Sequence, residues 1–360
     1  MERPDDEAAR RARAAEQLRQ QAVWCREIGS ALYAALLEGA EADCRAGGAC
    51  WSVLDGHEDM SLGDALPIRL LGAVHRLVLE GDAPALAAHY PSAGGRFDPA
   101  APAWPAFRDV LAAHGPRLRE LLLRPVQTNE VARSGSLLGG FLTIAAETGL
   151  PLRLLEVGAS AGLNLRFDHF RYESEGFSFG DPDAAVRLRN VFDGPAPGVR
   201  ATLEVAERSG CDQAPVDAAS EAGRLTLRSF LWPDQVERRT RLDAALGVAA
   251  RVPAALERAE ACEWTARRAV PERGVATVVY HSIVMPYLGR EGVRRFAEVV
   301  RAAGARATAE APLAWLYLEP RRSGDGGWEH AVSLALWPGG EPRVLALSSP
   351  HGPPVQWKGP

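Results

Sequence analysis

The stretch LRLLEVGASAGLNLRFDHF, residues 152–170, decides how the rest of the chain is interpreted. It begins with an apolar run that ends at Glu156 and continues into a turn of small residues. Gly158, Ser160 and Gly162 have the Gly-x-Ser-x-Gly spacing of a nucleophile elbow, which presents a serine for acyl transfer. The same residues also suit a loop whose main chain approaches a cofactor closely. The surrounding sequence has to distinguish these two hypotheses.

Apolar patterning divides the chain into two parts. Residues 1–150 are rich in good helix formers with apolar residues at helical spacing, which predicts an N-terminal helical region. One of its helices, over 104–125, is expected to kink at Gly115-Pro116. From 151 to 360, strand-like runs alternate with amphipathic helices, which predicts an α/β domain with a mainly parallel sheet. The runs are LRLLEV (152–157), RATLEVA (200–206), VATVVYHSIV (275–284), LAWLYLE (313–319), HAVSLALW (330–337) and RVLALS (343–348).

Two connections near the C-terminus predict how the sheet ends. The turn PGGEP joins the last two runs, so they are expected to form an antiparallel hairpin. The segment RRSGDGGWE, between the runs that begin at Leu313 and His330, is too short for the crossover helix of a parallel return. Either that helix is missing or the strand order at this edge differs.

Composition and charge exclude several classes of protein. The 360 residues are 47% hydrophobic and 24% charged, typical of a globular protein, and the formal net charge of -5 gives no basic surface for nucleic acid. The five cysteines include no Cys-x-x-Cys pair, so we expect reduced thiols and no metal site. Neither a signal peptide nor a membrane span is recognisable. We therefore expect a cytoplasmic protein that does not associate with membranes and acts on a small molecule.

The nucleophile-elbow hypothesis conflicts with the position of the turn in the chain. An α/β-hydrolase places its elbow after several strands of the sheet, whereas here the turn follows the first strand. A triad also needs a histidine base, and the downstream candidates are His281, His330 and His351. The serine hydrolase with Ser160 as nucleophile is therefore kept as the alternative hypothesis.

The cofactor hypothesis fits the turn better. An apolar strand delivers the chain to the carboxyl edge of the sheet, where open α/β folds bind ligands. Glu156 suits a cationic head group at the end of that strand. The chain lacks both the Gly-x-Gly-x-x-Gly of dinucleotide-binding proteins and a Gly-Lys-Ser/Thr phosphate-binding loop.

LLEVGASAGLN resembles the first motif of the class I S-adenosylmethionine-dependent methyltransferases, which is an apolar strand, an acid and then Gly-x-Gly-x-Gly. Ser160 stands where that motif has its middle glycine. The resemblance implies a Rossmann-like sheet and S-adenosylmethionine as cofactor. It also implies that the cofactor contacts Glu156, Gly158, Ala159, Ser160, Gly162 and Asn164.

The resemblance continues along the chain. GCDQAP (210–215) is similar to the end of the second strand, where Asp212 takes the place of the acid that binds the ribose hydroxyls. ERAEACEWTARR (257–268) resembles the third-strand acid loop, which implies Glu260 or Glu263 near the adenine edge. VATVVYHSIVMPYL (275–288) resembles the fourth strand, which implies His281 and Ser282 beside the methyl group.

Two further features belong to this comparison. The spacing between the first two motifs implies an insertion at about 166–198, expected to contain a hairpin. Nearly the whole chain also resembles an uncharacterised bacterial domain-of-unknown-function family. The segments that carry this second resemblance are VQTNEVARS (126–134), VGASAGLNL (157–165), LWPDQVERRTRL (231–242) and WPGG followed by HG (337–352).

The catalytic candidates each have a structural alternative. His281 is placed to act as a general base, or equally to be a hydrogen-bonded histidine at a strand end. The segment QTNEVAR, with the catalytic candidate Glu130, is expected to fold over the cofactor and to contribute Gln127, Asn129 and Arg133. The same residues also suit a capped helix start with a salt-bridged arginine.

The sequence therefore predicts S-adenosylmethionine-dependent transfer of a methyl or other cofactor-derived group to a small-molecule acceptor. A serine hydrolase built on Ser160 and a non-catalytic S-adenosylmethionine-binding protein are the alternatives.

Overall fold

The computed structural model describes residues 4–60, 65–198 and 202–359. Its contacts group the chain into two compact units. The helical unit contains the residues up to Thr128 together with Ser220–Thr240, and the sheet unit contains Asn129–Ala219 with the chain from Arg241 onward. The domain boundary predicted at residue 150 lies just before the first strand, which begins at Leu152. In the structure the sheet unit begins at Asn129, so the helix that precedes this strand belongs to the sheet unit.

The helices, in chain order, are α1 Pro4–Glu27, α2 Ala31–Arg45, α3 Ala49–Leu54, α4 Leu66–Glu80, α5 Pro84–Ala87, α6 Trp104–Leu122, α7 Arg133–Thr148, α8 Glu221–Ser229, α9 Val236–Ala249, α10 Ala261–Arg268 and α11 Met285–Gly304. The predicted kink in α6 is confirmed, since His114 leaves helical geometry two residues before Pro116. None of the helices in the described parts of the chain is long and apolar enough to cross a membrane.

Residues 220–240 pack in the helical unit through buried polar contacts. The carbonyl of Ser229 lies 3.1 Å from Nδ1 of His75 on α4, and the hydroxyl of Ser30, at the start of α2, donates to Asp234 at 2.7 Å. His75 and Ser30 are almost completely buried. These bonds attach a segment distant in sequence to the apolar interior of the N-terminal helices.

The strands, in chain order, are β1 Leu152–Val157, β2 Arg171–Ser174, β3 Phe177–Phe179, β4 Arg187–Arg189, β5 Val205–Asp212, β6 Ala255–Arg258, β7 Ala276–Ser282, β8 Leu313–Arg322, β9 Trp328–Trp337, β10 Arg343–Ser349 and β11 Gly352–Trp357. Within the described residues, the main sheet has eight strands in the order β11-β10-β9-β8-β7-β1-β5-β6. The predicted α/β class with a mostly parallel sheet is confirmed.

The strand order places a topological switch point beside β1. The neighbouring strands β6, β5, β1, β7 and β8 run parallel, and the order reverses direction between β1 and β7. In open α/β sheets, ligands bind outside the carboxyl ends of the strands at such a switch point. Every residue of β1 is buried, as expected for a central strand covered on both faces.

The C-terminal strands form an antiparallel meander. The predicted hairpin of the last two runs is confirmed as β9 and β10, and β11 adds a further strand that the sequence did not indicate. β8 turns directly into β9, which explains why the connection between them holds no helix. The run predicted as a strand over 200–206 contributes only its end to β5, and its residues 200 and 201 lie outside the described part of the chain.

The insertion predicted at 166–198 forms a separate small sheet. β2 and β3 make the expected antiparallel hairpin, and β4 pairs in parallel with β2. The segment that follows the β1 turn is a 3₁₀ helix, Leu163–His169.

Candidate ligand-binding site

The turn after β1 is built from residues in the left-handed backbone region. Gly158, Ser160 and Gly162 have φ values of 70°, 52° and 64°. Glycine adopts this region without penalty, whereas serine is strained there. Gly158 is exposed to solvent, while the next residues of the turn are buried. The turn therefore presents bare main chain at one point of the carboxyl edge.

Asp212 ties the end of β5 to this turn. Its Oδ2 accepts the amide N–H of Ser160 at 2.9 Å, and its Oδ1 accepts that of Ala214 at 2.8 Å. Each carboxylate oxygen keeps a further lone pair, and the side chain is half-buried at the edge. Asp212 thus holds the turn and remains partly accessible to solvent.

Asn129 supports the turn from the other side. Its Oδ1 accepts two amide N–H groups, from Ala161 at 3.2 Å and from Leu163 at 3.0 Å. Ala161 follows Ser160, and in a hydrolase its N–H would belong to the oxyanion hole. In this protein that N–H is already hydrogen-bonded to Asn129, which anchors the turn.

Glu156 is buried beneath the turn. Its side chain is 4% exposed, and Tyr280 of β7 is its partner in the strand register. Burial raises the pKa of this carboxyl group to about 8, although the Tyr280 hydroxyl and the Arg166 guanidinium act in the opposite direction. Glu156 is therefore mainly protonated at neutral pH and is buried at the end of β1.

His281 is completely buried, and both of its ring nitrogens are hydrogen-bonded. The indole N–H of Trp315 donates to Nε2 at 3.0 Å, and Nδ1 lies 2.8 Å from Oε1 of Glu319. An indole nitrogen can only donate, so Nε2 carries no proton and Nδ1 carries the proton that Glu319 accepts. The prediction that His281 is a general base does not fit this geometry, because neither nitrogen is left for a substrate proton.

The turn after β7 lies against the turn after β1. Ile283 has a φ of 55°, which is exceptional for a β-branched residue. A Cβ added to Gly158 would lie 2.5 Å from Cγ2 of Val284. Ser282 is half-buried, and its carbonyl accepts Nη1 of Arg133 at 3.2 Å. Two strained turns on neighbouring strands therefore meet at the exposed glycine.

Arg133 lies at the start of α7, beside the end of β7. Its Nε donates to the carbonyl of Pro350 at 2.8 Å, in addition to the bond with Ser282. The side chain is half-buried, so a guanidinium is positioned at the carboxyl edge of the sheet. The expectation that Arg133 contributes to a cofactor site stays a prediction.

The remaining predicted residues are distributed differently. Glu130 is buried, and its Oε1 accepts the Ala132 N–H at 3.1 Å and lies 3.7 Å from Nη1 of Arg241. The backbone carbonyl of Glu130 accepts a hydrogen bond from Nδ2 of the buried Asn164 at 3.2 Å. Glu130 and Asn164 thus join the segment before α7 to the turn. Gln127 is buried in the helical unit.

Glu260 is the N-cap of α10, where its side chain accepts the Glu263 N–H at 2.9 Å. Burial alone raises the pKa of Glu260, but the hydrogen bonds from Glu263 and Cys262 outweigh it, so the pKa is lowered. A half-buried carboxylate therefore stands at the end of β6. Glu263, the alternative adenine-edge residue, is exposed.

Two residues that contact these turns were not predicted from the sequence. Glu319 ends the apolar run of β8 in the same way that Glu156 ends β1, and this signal was present in the sequence. Arg166 donates to the carbonyl of Gly162 at 2.6 Å, and no local pattern indicates this contact. Among the described residues, no group of three His, Cys, Asp or Glu side chains is placed to hold a metal ion.

Comparison with known proteins identifies the family. A family model described as an uncharacterized protein conserved in bacteria (DUF2332) matches residues 15–357. The chain belongs to this family, as its second resemblance predicted. Neither the curated proteins nor the solved structures compared with the chain contain a match.

Proposed function

We propose that this DUF2332 protein binds S-adenosylmethionine at the turn 158–162 and transfers its methyl group, or another group derived from it, to a small-molecule acceptor. The observation that carries the proposal is the exposed, left-handed Gly158 at the switch point, with Asp212 beside it at the end of β5. This arrangement supports close approach of an adenosyl compound to main chain.

The hydrogen bonding of the turn favours a ligand without phosphates. Phosphate-binding loops offer backbone N–H groups to the anion. Here the N–H groups of residues 159–163 already have acceptors inside the protein: Ala159 donates to Cys211, Ser160 to Asp212, Ala161 to Asn129, Gly162 to Ala159 and Leu163 to Asn129. Asp212 and Glu260 also make the ends of β5 and β6 acidic. The occupied N–H groups disfavour the phosphates of a dinucleotide or nucleoside triphosphate.

The residues present fit the proposed cofactor. Asp212 has acceptor capacity for a ribose diol, the carboxylate of Glu260 just after β6 suits the adenine edge, and the guanidinium of Arg133 suits a carboxylate. When bound, S-adenosylmethionine supplies a methyl group activated by its sulfonium. The chain's contribution is to hold donor and acceptor in line, which is the larger part of catalysis in a displacement of this kind.

One feature favours the alternative of a serine hydrolase. Ser160 has the left-handed backbone typical of a nucleophile elbow. Against this, the Ala161 N–H is bonded to Asn129, and His281 is occupied by Trp315 and Glu319. The methyltransferase proposal needs neither the Ala161 N–H nor His281 to contact a substrate, so we favour it.

A thermal-denaturation scan of the whole protein tests the proposal. S-adenosylmethionine and S-adenosylhomocysteine are expected to raise the melting temperature, because a ligand at 100 times its Kd adds about 2.7 kcal/mol of stability. NAD and ATP are the matched controls and are expected to have no effect. No shift with either adenosyl compound, or covalent labelling of Ser160 by a fluorophosphonate, would overturn the proposal. Binding of S-adenosylmethionine without turnover of any acceptor would overturn the transfer reaction and leave a non-catalytic cofactor-binding protein.

A further inference from the structure

Glu319 gathers three N–H donors on one carboxylate oxygen. Its Oε1 accepts Nδ1 of His281 at 2.8 Å, the amide of Val284 at 2.8 Å and that of Met285 at 3.3 Å. Val284 and Met285 lie at the N-terminus of α11, where backbone N–H groups lack partners within the helix. Glu319 therefore attaches the end of β8 to the start of α11.

The second contact of His281 fixes the direction of this chain of hydrogen bonds. Trp315, two pleats before Glu319 on β8, donates to Nε2 of His281 and so requires the proton on Nδ1. The imidazole also stacks on Tyr317, with ring centroids 5.4 Å apart. Trp315 thereby selects the tautomer that donates to Glu319, and all members of the chain except the half-exposed turn are buried.

The turn held in this way forms part of the candidate site. Ile283 is kept in the left-handed region, which persists in a β-branched residue only when its surroundings impose it. The amides of Val284 and Met285 directly follow it, and Val284 is the residue that lies against Gly158. The position of the Val284 side chain next to the exposed glycine thus depends on a carboxylate 35 residues away in sequence.

We propose that Glu319 is a positioning residue that holds the strained turn Ser282–Met285 as one wall of the ligand site, through His281 and the two amides at the start of α11. The identity of the ligand rests on the proposed function, whereas the positioning role does not. Glu319 acts through the turn and is not assigned a contact with the cofactor.

Three variants of the full chain test this role. Glu319→Gln keeps an acceptor for both amides and for His281, so it is expected to behave like the wild type. Glu319→Asp keeps a carboxyl group but withdraws its oxygen from the turn. Trp315→Phe keeps an aromatic ring but removes the donor that fixes the tautomer of His281. Glu329→Gln on β9 is the matched control, because it changes a carboxylate that pairs with Arg321 away from the turn.

The first readout is amide hydrogen exchange of ligand-free protein. Exchange at Val284 and Met285 is expected to rise about tenfold in Glu319→Asp and less in Trp315→Phe, as for the loss of about one hydrogen bond. The second readout is the affinity for S-adenosylhomocysteine, which is expected to fall in the same order. Glu319→Gln and Glu329→Gln are expected to leave both readouts unchanged.

The two readouts separate the two proposals. If the wild type does not bind S-adenosylhomocysteine, the proposed function fails, but the exchange measurement still decides the role of Glu319. Unchanged exchange at Val284 and Met285 in Glu319→Asp and Trp315→Phe would overturn the positioning role. Equal loss of protection in Glu319→Gln and Glu319→Asp would also overturn it, because the proposal requires only the acceptor oxygen.

Discussion

Individual residues at the carboxyl edge show which contacts sequence can indicate. The positions of Glu156 and Gly158 follow from the apolar run 152–157, whose predicted end the structure confirms as the end of β1. Asp212 ends β5 six residues beyond the predicted run 200–206, so its place at a strand end was implied only by the methyltransferase resemblance. The bonding of His281 could not be predicted, because its partners are on β8 and become neighbours only when the parallel sheet forms. Local patterns identify the end of a strand, but not the hydrogen-bond partners that tertiary structure supplies.

Glu156 provides a prediction at this scale. Its pKa is raised from an unfolded value near 4.5 to about 8, so between these values the folded state binds more protons than the unfolded state. The free energy of unfolding therefore falls as pH rises from 4.5 to 8. Glu156→Gln removes this loss. In urea unfolding it is expected to match the wild type near pH 4.5 and to exceed it by up to a few kcal/mol at pH 8, since each pKa unit corresponds to about 1.4 kcal/mol.

Glu207 is the control of opposite sign. Burial raises its pKa, but the hydrogen bonds from Arg153 and Ser209 outweigh burial and lower it. Its stabilisation is present above pH 4.5 and is lost as pH falls through the lowered value. Glu207→Gln is therefore expected to destabilise at neutral pH and to have little effect in acid. A difference between Glu156→Gln and the wild type that does not grow with pH would contradict the account of Glu156.

Asn129 provides a second prediction. Asn129→Ala leaves the amides of Ala161 and Leu163 without their acceptor, which is expected to cost about 1–3 kcal/mol of stability. Asn129→Asp keeps the acceptor oxygen and is expected to lose much less. Urea unfolding of the two variants measures the difference. Equal stability of both variants would show that Asn129 does not anchor the turn.

At the scale of elements, α7 shows how glycine sets the spacing between a helix and a sheet. A Cβ at Gly139 would lie 2.2 Å from the ring of Trp357, and one at Gly140 would lie 2.3 Å from Leu316. Glycine normally weakens a helix interior, so its presence here reflects close approach to β8 and β11. The start of α7 agrees with the capped helix start considered for QTNEVAR, but the sequence did not indicate that the glycine pair packs α7 against the sheet.

Replacing these glycines tests the packing. Gly139→Ala and Gly140→Ala raise helix propensity but overpack the interface, and each is expected to destabilise by about 1–3 kcal/mol. Gly247→Ala on α9 is the matched control, because a Cβ there meets nothing within 4 Å. The control is expected to stabilise by about 0.5–1 kcal/mol. Thermal unfolding compares the three variants, and stabilisation by all three would contradict the close approach of α7.

At the scale of the whole molecule, the sequence predicted the N-terminal helices, the parallel sheet and the antiparallel C-terminal edge. These features depend on hydrophobic periodicity, which is local. The assignment of residues 220–240 to the helical unit could not be predicted, since α8 follows β5 in the way an ordinary crossover helix does. Its attachment depends on contacts such as that between Ser229 and His75, which connect residues far apart in sequence.

The central claim is that the exposed main chain at Gly158 binds an adenosyl sulfonium compound or its demethylated product. Isothermal titration of S-adenosylhomocysteine into the wild type, Gly158→Ala and Gly149→Ala tests it most directly. Both glycines have a φ near 70°, so both variants acquire similar backbone strain, but a Cβ at Gly149 meets nothing within 4 Å. We predict that the wild type and Gly149→Ala bind with similar Kd and that Gly158→Ala loses binding. Absence of binding to the wild type, or equal binding by both variants, would contradict the account.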